Sequence, residues 1–343
     1  IFVRSSPVRR FIINNLSNHQ KDIIRMVVRK FGFSRQAALR HMYILIMDGK
    51  VTATGKTKDR MYQLKPLDEN SYSFSITPEL KEDQIFHEKI SPYLDNLAPE
   101  IREISEYGFS QVMNNVISHS EGKTCQVHIL RNEGTVSFRI MDDGVGVLSK
   151  VTKYFSLENE HHAVLELSKG KMTTDPDHHT GDGLFFVSRL FNRFILESSG
   201  LAWKHDLKNE EWSVIHANEK KGTSVFLELN SLSKRSLINT MKAYSTNGGM
   251  IFSRTCIPVV LSKLDSENLF SRSQAKRLTQ NLDEYKNICF DFTGLDMVSH
   301  SFADEVFRVY QKEKPHQKLE WKNSNIELEE LFTNIQQNGK SLD

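Results

Sequence analysis

The sequence contains few cysteines. Only three are present among 343 residues, Cys125, Cys256 and Cys289, and they lie far apart with no C-x-x-C pair. An odd number of cysteines at these spacings argues against a disulfide framework and against a zinc site built on thiolates. We therefore expect a protein of a reducing compartment, the cytoplasm.

Long apolar runs are also missing from the sequence. No stretch approaches the roughly 20 apolar residues that a membrane-spanning helix needs, and the first residues, IFVRSSPVRRF, lack the apolar core of a signal peptide. We therefore expect no membrane partner. The apolar content of 38% is ample for packed cores, and a chain of 343 residues suits two or three domains.

The chain has little net charge, only +2. This balance conceals an asymmetry, because residues 1–65 carry 14 Lys and Arg against 3 Asp and Glu, which leaves the remaining residues negatively charged. A basic N-terminal module on an acidic body favours a polyanion as the partner of that module.

Residues 107–146 hold the most informative pattern. An alternating apolar strand ends there at the segment DDGVG. The carboxylate of Asp142 is then placed to accept a hydrogen bond from an exocyclic amino group, and Gly144 and Gly146 would let a flat ring such as adenine approach the backbone. A plain hairpin turn of the Asp-Gly type is the alternative interpretation.

Three further segments accompany this one. A helical pattern over YGFSQVMNNVISHS places Gln111 and Asn115, four residues apart, on one face. The segment TGDGL opens another predicted helix, and backbone amides at a glycine-rich helix start favour phosphate. The segment KGTS, which contains Thr223, leads into a late strand.

Together the four segments resemble the GHKL family of ATP-binding domains, which includes gyrase, histidine kinases and anti-sigma serine kinases. The resemblance implies an α+β (Bergerat) sandwich that binds ATP and Mg²⁺, with Asp142 as the adenine-binding acid and Asn115 as the magnesium ligand, since its carbonyl oxygen suits a hard cation. An ordinary α/β sandwich that binds nothing is the alternative. The resemblance further implies nucleotide contacts from Gly144, Gly146, Thr180, Gly181, Gly183, Leu184 and Thr223.

One position departs from the family pattern. Hydrolysing members carry glutamate four residues before the magnesium asparagine, and this glutamate acts as general base on the attacking water. The corresponding residue here is Gln111, whose neutral amide has no basic lone pair of useful pKa. Either the protein binds ATP and hardly turns it over, or the chain carries an engineered replacement of glutamate by glutamine.

The ATP-binding domain would run from about residue 99 to residue 230. Its least regular stretch, residues 148–179, corresponds to the lid that closes over the triphosphate in this family. When the lid closes, phosphate oxygens would be reached by Lys169, Lys171, His178 and His179. The alternative is that the polar residues of this stretch are merely solvated.

Residues 1–65 predict two helices joined by a tight turn, followed by a small hairpin that turns at Gly55. This order resembles a winged helix-turn-helix, and the charge of the segment favours double-stranded DNA as its partner. Protein contacts or dimerisation are the alternative use of such a module. The resemblance to a winged helix implies major-groove contacts from Arg35, Gln36 and Arg40 and phosphate contacts from Lys56, Lys58 and Arg60.

The sequence of residues 66–98 indicates a polar linker or lead-in strand, followed by a lead-in helix.

Residues 240–343 alternate predicted strands and helices, which suggests a small α/β layer. The segment DFTGLDMVSHSFADEVFRVY resembles STAS-like modules related to antagonists of anti-sigma factors. In the antagonists a partner GHKL kinase phosphorylates a serine after the central strand, and Ser299 and Ser301 fall at that bend as possible phosphoacceptors. The alternative is that these serines only cap the following helix. The resemblance also implies a protein partner for this module.

The sequence thus predicts a multidomain regulator of the bacterial type. ATP would close the lid and pair two GHKL domains in a homodimer, and this would set the spacing of two winged helices on DNA. The alternative function is an anti-sigma-type serine kinase that phosphorylates a STAS-like domain. A scaffold that binds no nucleotide is the third interpretation.

Overall fold

The computed structural model describes residues 6–175, 180–245, 252–263 and 269–340. These residues form three consecutive units, a helical module with a hairpin, a central domain with a seven-stranded sheet, and a C-terminal domain with a three-stranded sheet. Among the described residues, no helix is both long enough and apolar enough to cross a membrane.

The described residues of the N-terminal module form three helices and one antiparallel hairpin. The second helix ends at Gly32, whose φ of 66° is left-handed, and Ser34 caps the third helix by accepting a hydrogen bond from the Ala37 amide at 3.2 Å. These two residues make the tight turn that the sequence predicts. The elements are α1 (Pro7–Leu16), α2 (Ile23–Phe31), α3 (Arg35–Met47), β1 (Val51–Thr54) and β2 (Met61–Leu64).

The central domain is built on an antiparallel sheet with one deeply buried face. Phe138, Leu227 and Phe194 lie side by side on three neighbouring strands, and all three are fully buried. The sheet order is β3-β4-β5-β9-β6-β7-β8. The strands are β3 (Pro66–Ser75), β4 (Thr124–Asn132), β5 (Thr135–Asp142), β6 (Arg193–Ser198), β7 (Leu201–Asp206), β8 (Glu211–His216) and β9 (Thr223–Asn230).

Helices cover the buried face of this sheet, so the central domain is a two-layer α/β sandwich. The first of them, α4 (Glu82–Ile85), continues through wider and tighter turns over Phe86–Ile90 and Ser91–Leu94. The others are α5 (Pro99–His119), α6 (Val147–Tyr154), α7 (Glu160–Lys169) and α8 (Gly183–Leu190).

Residues 66–98 belong to the central domain and are not a linker before it. Strand β3 pairs with β4 along its length, from Pro66 opposite Asn132 to Ser75 opposite Thr124. Phe86, Ile90 and Leu94 are buried in the core of the central domain. The polar sequence of residues 66–75 reflects an edge strand, whose side chains lie largely in solvent.

The C-terminal domain has the alternating strands and helices that its sequence predicts. Its sheet is parallel, in the order β10-β11-β12. Ser271 and Gln274 form a capping box at the start of the first helix after β10. The elements are α9 (Leu237–Ala243), which leads into the domain, β10 (Arg254–Pro258), α10 (Arg272–Thr279), β11 (Asn287–Asp291), α11 (His300–Asp304), α12 (Gln311–Glu313), β12 (Lys318–Lys322) and α13 (Ile326–Lys340).

Candidate functional site

A cavity of about 310 Å³ opens between the helices and the sheet of the central domain. This volume lies within the range of small-molecule sites, which is about 300–1,000 Å³. Side chains from α5, β5, α6, α8 and β9 line the cavity together with residues 172–174 and 180–182. The cavity brings together eight of the residues singled out in the sequence, Gln111, Asn115, Asp142, Thr180, Gly181, Gly183, Leu184 and Thr223.

Asp142 stands at the end of β5 and is only 9% exposed. Its carboxylate accepts hydrogen bonds from the backbone amides of Gly144, at 2.8 Å, and of Thr223. Burial nevertheless raises the pKa of Asp142 above its ordinary value. A donor that entered the cavity and bonded to this carboxylate would therefore stabilise the charged form, which burial disfavours.

The neighbouring acid, Asp143, is bonded to the start of β4. Its carboxylate accepts hydrogen bonds from the backbone amides of Thr124, at 2.9 Å, and Lys123, at 2.7 Å, and from the Thr124 hydroxyl at 2.9 Å. These donors lower the pKa of Asp143 to about 2. Asp143 therefore holds the start of β4, and Asp142 is the acid of this pair that lines the cavity.

Gly144 and Gly146 shape the loop and do not line the cavity. A Cβ atom on Gly144 would lie 2.0 Å from the carbonyl oxygen of Ser120, at the end of α5. A Cβ atom on Gly146, whose φ is 83°, would lie 2.8 Å from the Ser198 hydroxyl. The packing of the protein itself therefore requires glycine at both positions, and the approach of a flat ring to their backbone stays a prediction.

Gly181 and Gly183 connect the cavity to the start of α8. The carbonyl oxygen of Gly181, whose φ is 73°, accepts a hydrogen bond from the Met172 amide at 3.2 Å. A Cβ atom on Gly183 would lie 2.2 Å from Oε1 of Gln111. The side chain of Gln111 therefore packs directly against the N-terminus of α8, where unpaired backbone amides favour an anion.

Thr223 joins β9 to the loop that follows β5. Its hydroxyl accepts a hydrogen bond from the Val147 amide, at the start of α6, at 3.0 Å. Its own amide donates to Asp142, as described above. Thr223 therefore lines the cavity and also fixes the position of the acid.

Two cavity residues, His119 and Lys150, were not selected from the sequence. The Lys150 ammonium donates hydrogen bonds to the His119 carbonyl oxygen and to Oε1 of Glu121, both at 2.8 Å. The spacing of four residues from Gln111 to Asn115 and from Asn115 to His119 was a usable signal, because it places all three on one helical face. Lys150 carried no comparable signal, since only the fold brings α6 to the end of α5.

Lys169 and Lys171 do not lie where the sequence interpretation put them. The Lys169 ammonium is buried and donates to Oε1 of Glu166, at 2.6 Å, and to the carbonyl oxygens of Arg277 and Gln280, at 2.8 and 2.9 Å. The Lys171 ammonium lies 3.1 Å from Oε2 of Glu284. Both lysines therefore face the C-terminal domain.

The stretch interpreted as a lid is largely part of the core. Helix α7 lies within it, and Ala163, Val164 and Leu165 are buried there. Within this stretch, the cavity is lined by Lys150 and Val151 of α6, by Leu167 of α7, and by residues 172–174. His178 and His179 lie outside the described residues.

The predicted DNA-contacting residues lie on open surface. Gln36, Arg40, Tyr43 and Met47 share one face of α3, and Tyr43 and Met47 are 61% and 67% exposed. This face therefore begins polar and basic and ends apolar. The candidate residues Arg35, Gln36, Arg40, Lys56, Lys58 and Arg60 are all exposed.

Ser299 and Ser301 lie together at the start of α11. The Ser299 hydroxyl accepts a hydrogen bond from the Phe302 amide at 3.1 Å, so Ser299 caps this helix. Both hydroxyls contact the carbonyl oxygen of Phe270, at 2.7 and 2.8 Å, and their oxygens are 2.9 Å apart. The capping interpretation therefore describes Ser299, and both side chains remain partly exposed.

Metal binding in the cavity would depend on Asn115. Within the described parts of the chain, no group of three or more His, Cys, Asp or Glu side chains is arranged to hold a metal ion. Asn115 offers an amide oxygen in the same cavity as Asp142. A hard cation at this place would take its remaining ligands from water and from the ligand it accompanies.

A known sequence family matches the C-terminal domain. The family is described as a STAS-like domain of unknown function (DUF4325), and the match covers residues 274–327, from within α10 to the start of α13. The C-terminal domain is therefore STAS-like. No curated protein matches the chain.

Proposed function

We propose that the protein is an ATP-binding regulator, in which a GHKL-type central domain controls the STAS-like domain and a DNA-binding winged helix. The observation that carries the proposal is the convergence of Asp142, Asn115, Thr223 and Gly183 on one cavity. These residues come from four separate elements of the chain, and the GHKL resemblance assigns each of them to the same ligand.

The residues lining the cavity have the chemistry that ATP requires. Asp142 accepts a hydrogen bond from the adenine amino group, and its fixed position rests on the amides of Gly144 and Thr223. The backbone amides at the start of α8 hold phosphate oxygens. Asn115 provides an oxygen ligand for Mg²⁺, which when bound neutralises phosphate charge.

Gln111 limits what the cavity does with bound ATP. Its side chain lies against the start of α8, beside the proposed phosphate site. A neutral amide orients water by hydrogen bonding but does not remove its proton. The protein therefore retains ATP and turns it over slowly, whether the glutamine is natural or engineered.

The contacts around α7 and α8 connect the cavity to the STAS-like domain. Helix α8 begins at Gly183, in the cavity, and Arg189 of the same helix donates a hydrogen bond to the Cys256 carbonyl oxygen of β10 at 2.8 Å. Lys169 binds two carbonyl oxygens at the end of α10, three residues before Met172 lines the cavity. ATP shifts the STAS-like domain only to the extent that it binds one arrangement of these contacts more tightly.

The N-terminal module would read out this state on double-stranded DNA. The order of its three helices and hairpin supports a winged helix, and its exposed basic side chains support phosphate and base contacts. Pairing of two central domains in an ATP-dependent homodimer would set the spacing of two such modules. Nothing in this proposal requires a membrane.

Calorimetric titration with Mg-ATP tests the proposal. Asp142→Asn removes a charged acceptor from the cavity and should weaken ATP binding by about 1.5–3 kcal/mol, which is tenfold or more in Kd. The matched control is Asp143→Asn, because Asp143 holds β4 and should leave the affinity nearly unchanged. Equal affinities for the wild-type protein and both variants would overturn the assignment of the cavity.

A second candidate function is a protein serine kinase that acts on a STAS-like domain. The match of residues 274–327 and the partly exposed Ser299 and Ser301 favour it. Incubation with ATP labelled on the γ-phosphate separates the two functions. Label on a peptide containing Ser299 or Ser301 would favour the kinase, and label released only as phosphate, or kept in ATP, would favour the regulator.

A further inference from the structure

Two of the three cysteines lie on neighbouring strands of the STAS-like domain. In the parallel register of β10 and β11, Cys256 is directly opposite Cys289. Register partners on adjacent strands point to the same side of a sheet. The fold therefore pairs two thiols that are 33 positions apart in the sequence.

The spacing of the strands suits a covalent link between these thiols. Neighbouring strands lie about 4.8 Å apart, and disulfides join Cα atoms that are about 4.4–6.8 Å apart. The two thiols influence each other, since each shifts the pKa of the other. Both cysteines are in the free thiol form.

The two thiols differ in exposure and in acidity. Cys256 is partly exposed, whereas Cys289 is buried. The interaction with the Cys289 thiol, together with the positive charges of Lys322 and Arg189, lowers the pKa of Cys256. The same interaction and burial raise the pKa of Cys289. Cys256 is therefore the thiol that ionises first and that a small oxidant reaches.

We propose that Cys256 and Cys289 form a reversible redox pair, in which Cys256 reacts with a peroxide and Cys289 resolves the product as an intramolecular disulfide. This goes beyond the proposed binding of ATP and does not depend on it. The pair lies beside the hydrogen bond from Arg189 to the Cys256 carbonyl oxygen. Oxidation of the two thiols therefore changes the conformation of β10, the strand that attaches the STAS-like domain to α8.

The chemistry balances with hydrogen peroxide as the oxidant. Cys256 releases its proton, and the thiolate attacks one peroxide oxygen, so that an S–O bond forms and the O–O bond breaks. The hydroxide that leaves takes up the released proton and becomes water. The Cys289 thiol then attacks the Cys256 sulfur, an S–S bond replaces the S–O bond, and a second water leaves with the Cys289 proton. The two thiols lose two electrons, and peroxide gains them.

Cys125 is an internal control for this reaction. It is buried on β4, its thiol contacts the Met113 sulfur at 3.8 Å, and burial raises its pKa to about 12. It lies in the same polypeptide but has no thiol partner across the sheet, since its register partners are Phe74 and Asp142. The proposal therefore expects Cys125 to stay reduced when the pair is oxidised.

The test is peroxide treatment of the folded, full-length protein, followed by alkylation and non-reducing peptide mapping. We expect a Cys256–Cys289 disulfide, seen as the loss of two hydrogens, which dithiothreitol reverses. Cys125 should stay reduced. The pair should be oxidised faster than free cysteine in the same buffer, because each pKa unit changes the thiolate fraction by about tenfold.

Two variants assign the roles within the pair. In Cys289→Ser the sulfenic acid on Cys256 has no resolving thiol, so a dimedone adduct should accumulate there. In Cys256→Ser the Cys289 thiol should stay reduced, and the circular dichroism of both variants should match that of the wild type. Oxidation of the pair no faster than free cysteine, or a disulfide between two molecules in place of the internal one, would overturn the proposal.

Discussion

The two outer units are attached to the central domain in different ways. The described residues of the N-terminal module include ten that form a core of their own. Surface contacts join the module to the central domain, namely Lys50 to Glu133 at 3.0 Å, Lys208 to Asn15 at 2.9 Å, and the side chains of Ile13 and Leu64 beside Gly134. The buried residues of the STAS-like and central domains form one continuous core. Buried charges cross that boundary, with Lys169 and Arg189 both bonded to carbonyl oxygens of the STAS-like domain.

The two kinds of attachment predict how a structural change at the cavity reaches each outer unit. A shared core is closely packed and responds as a unit, so a change at α7 or α8 reaches the STAS-like domain directly. A module held by surface contacts is free to fold and to bind by itself. We therefore expect the central and STAS-like domains to act as one body and the N-terminal module to act as a separable binding unit.

The largest expected effect is on ATP turnover and belongs to the central domain alone. Gln111→Glu places a carboxylate against the start of α8, and general-base catalysis typically contributes about 10²- to 10⁴-fold. Turnover of ATP should rise within that range, and affinity should stay nearly unchanged because the amide and the carboxylate are close in size. Phosphate release is measured for the full chain and for residues 66–343.

The same increase in both chains would support the separation of the module from the site. An increase seen only in the full chain would show that the module takes part in turnover. Equal, near-zero turnover before and after the substitution would mean that the cavity senses the nucleotide without hydrolysing it.

The next effect concerns the shared core. Lys169→Met leaves the buried Glu166 without its cationic partner, and removal of one member of a buried pair costs about 3–5 kcal/mol. Burial raises the pKa of Glu166, but the contacts with Lys169, His162 and Asn281 outweigh burial and keep this pKa below its ordinary value. Denaturant unfolding should show the loss of stability in the transition of the joined domains.

A double variant is the control for that experiment. Lys169→Met combined with Glu166→Gln removes both charges, and it should recover part of the stability because no buried charge is left unpaired. If the double variant is as unstable as the sum of its single variants, the lysine acts through packing and not through its charge.

A smaller effect is expected on DNA binding by the module. Arg40→Ala should weaken a preferred duplex by about 1–3 kcal/mol more than random sequence, whereas Lys58→Ala should weaken both alike and reduce the salt dependence. Fluorescence anisotropy at several salt concentrations measures both quantities. Failure of residues 1–65 to bind any duplex at low salt would assign the exposed face of α3, with Tyr43 and Met47, to protein contacts.

The smallest effect is expected at the junction of the module. Lys50→Met removes a surface ion pair with Glu133, and such pairs contribute less than about 1 kcal/mol. The unfolding transition of the joined domains should therefore stay in place. A loss of stability as large as that of Lys169→Met would contradict the distinction between the two attachments.

The parts of the candidate site that could be predicted lie on regular elements or beside glycines. Gln111 and Asn115 follow helical spacing, and Asp142 ends an alternating strand, so local pattern was enough to select them. Lys150 could not be found in this way, because its proximity to His119 arises from the packing of α6 on α5. Lys169 was misplaced because a lysine near a glycine-rich segment resembles a phosphate ligand until the neighbouring domain is known.

The edge strand β3 shows the same limit for the fold. Its residues are polar and include Pro66, so composition left a linker and a lead-in strand open, and only the pairing of the backbone with β4 decides for the strand. Pairing depends on backbone groups that every sequence carries, and a strand at the edge needs no apolar face to show it.

The sequence by itself determined the separate elements of this protein. Helix caps, alternation and turns act between residues a few positions apart, so local order predicted α2, α3, the β1–β2 hairpin and the STAS-like alternation of strands and helices. Helix α1 was not predicted. Tertiary structure alone decided which side chains meet across long distances. It turned Lys169 toward the STAS-like domain and paired Cys256 with Cys289, because burial and strand register are set by the packing of whole elements and not by neighbours in the chain.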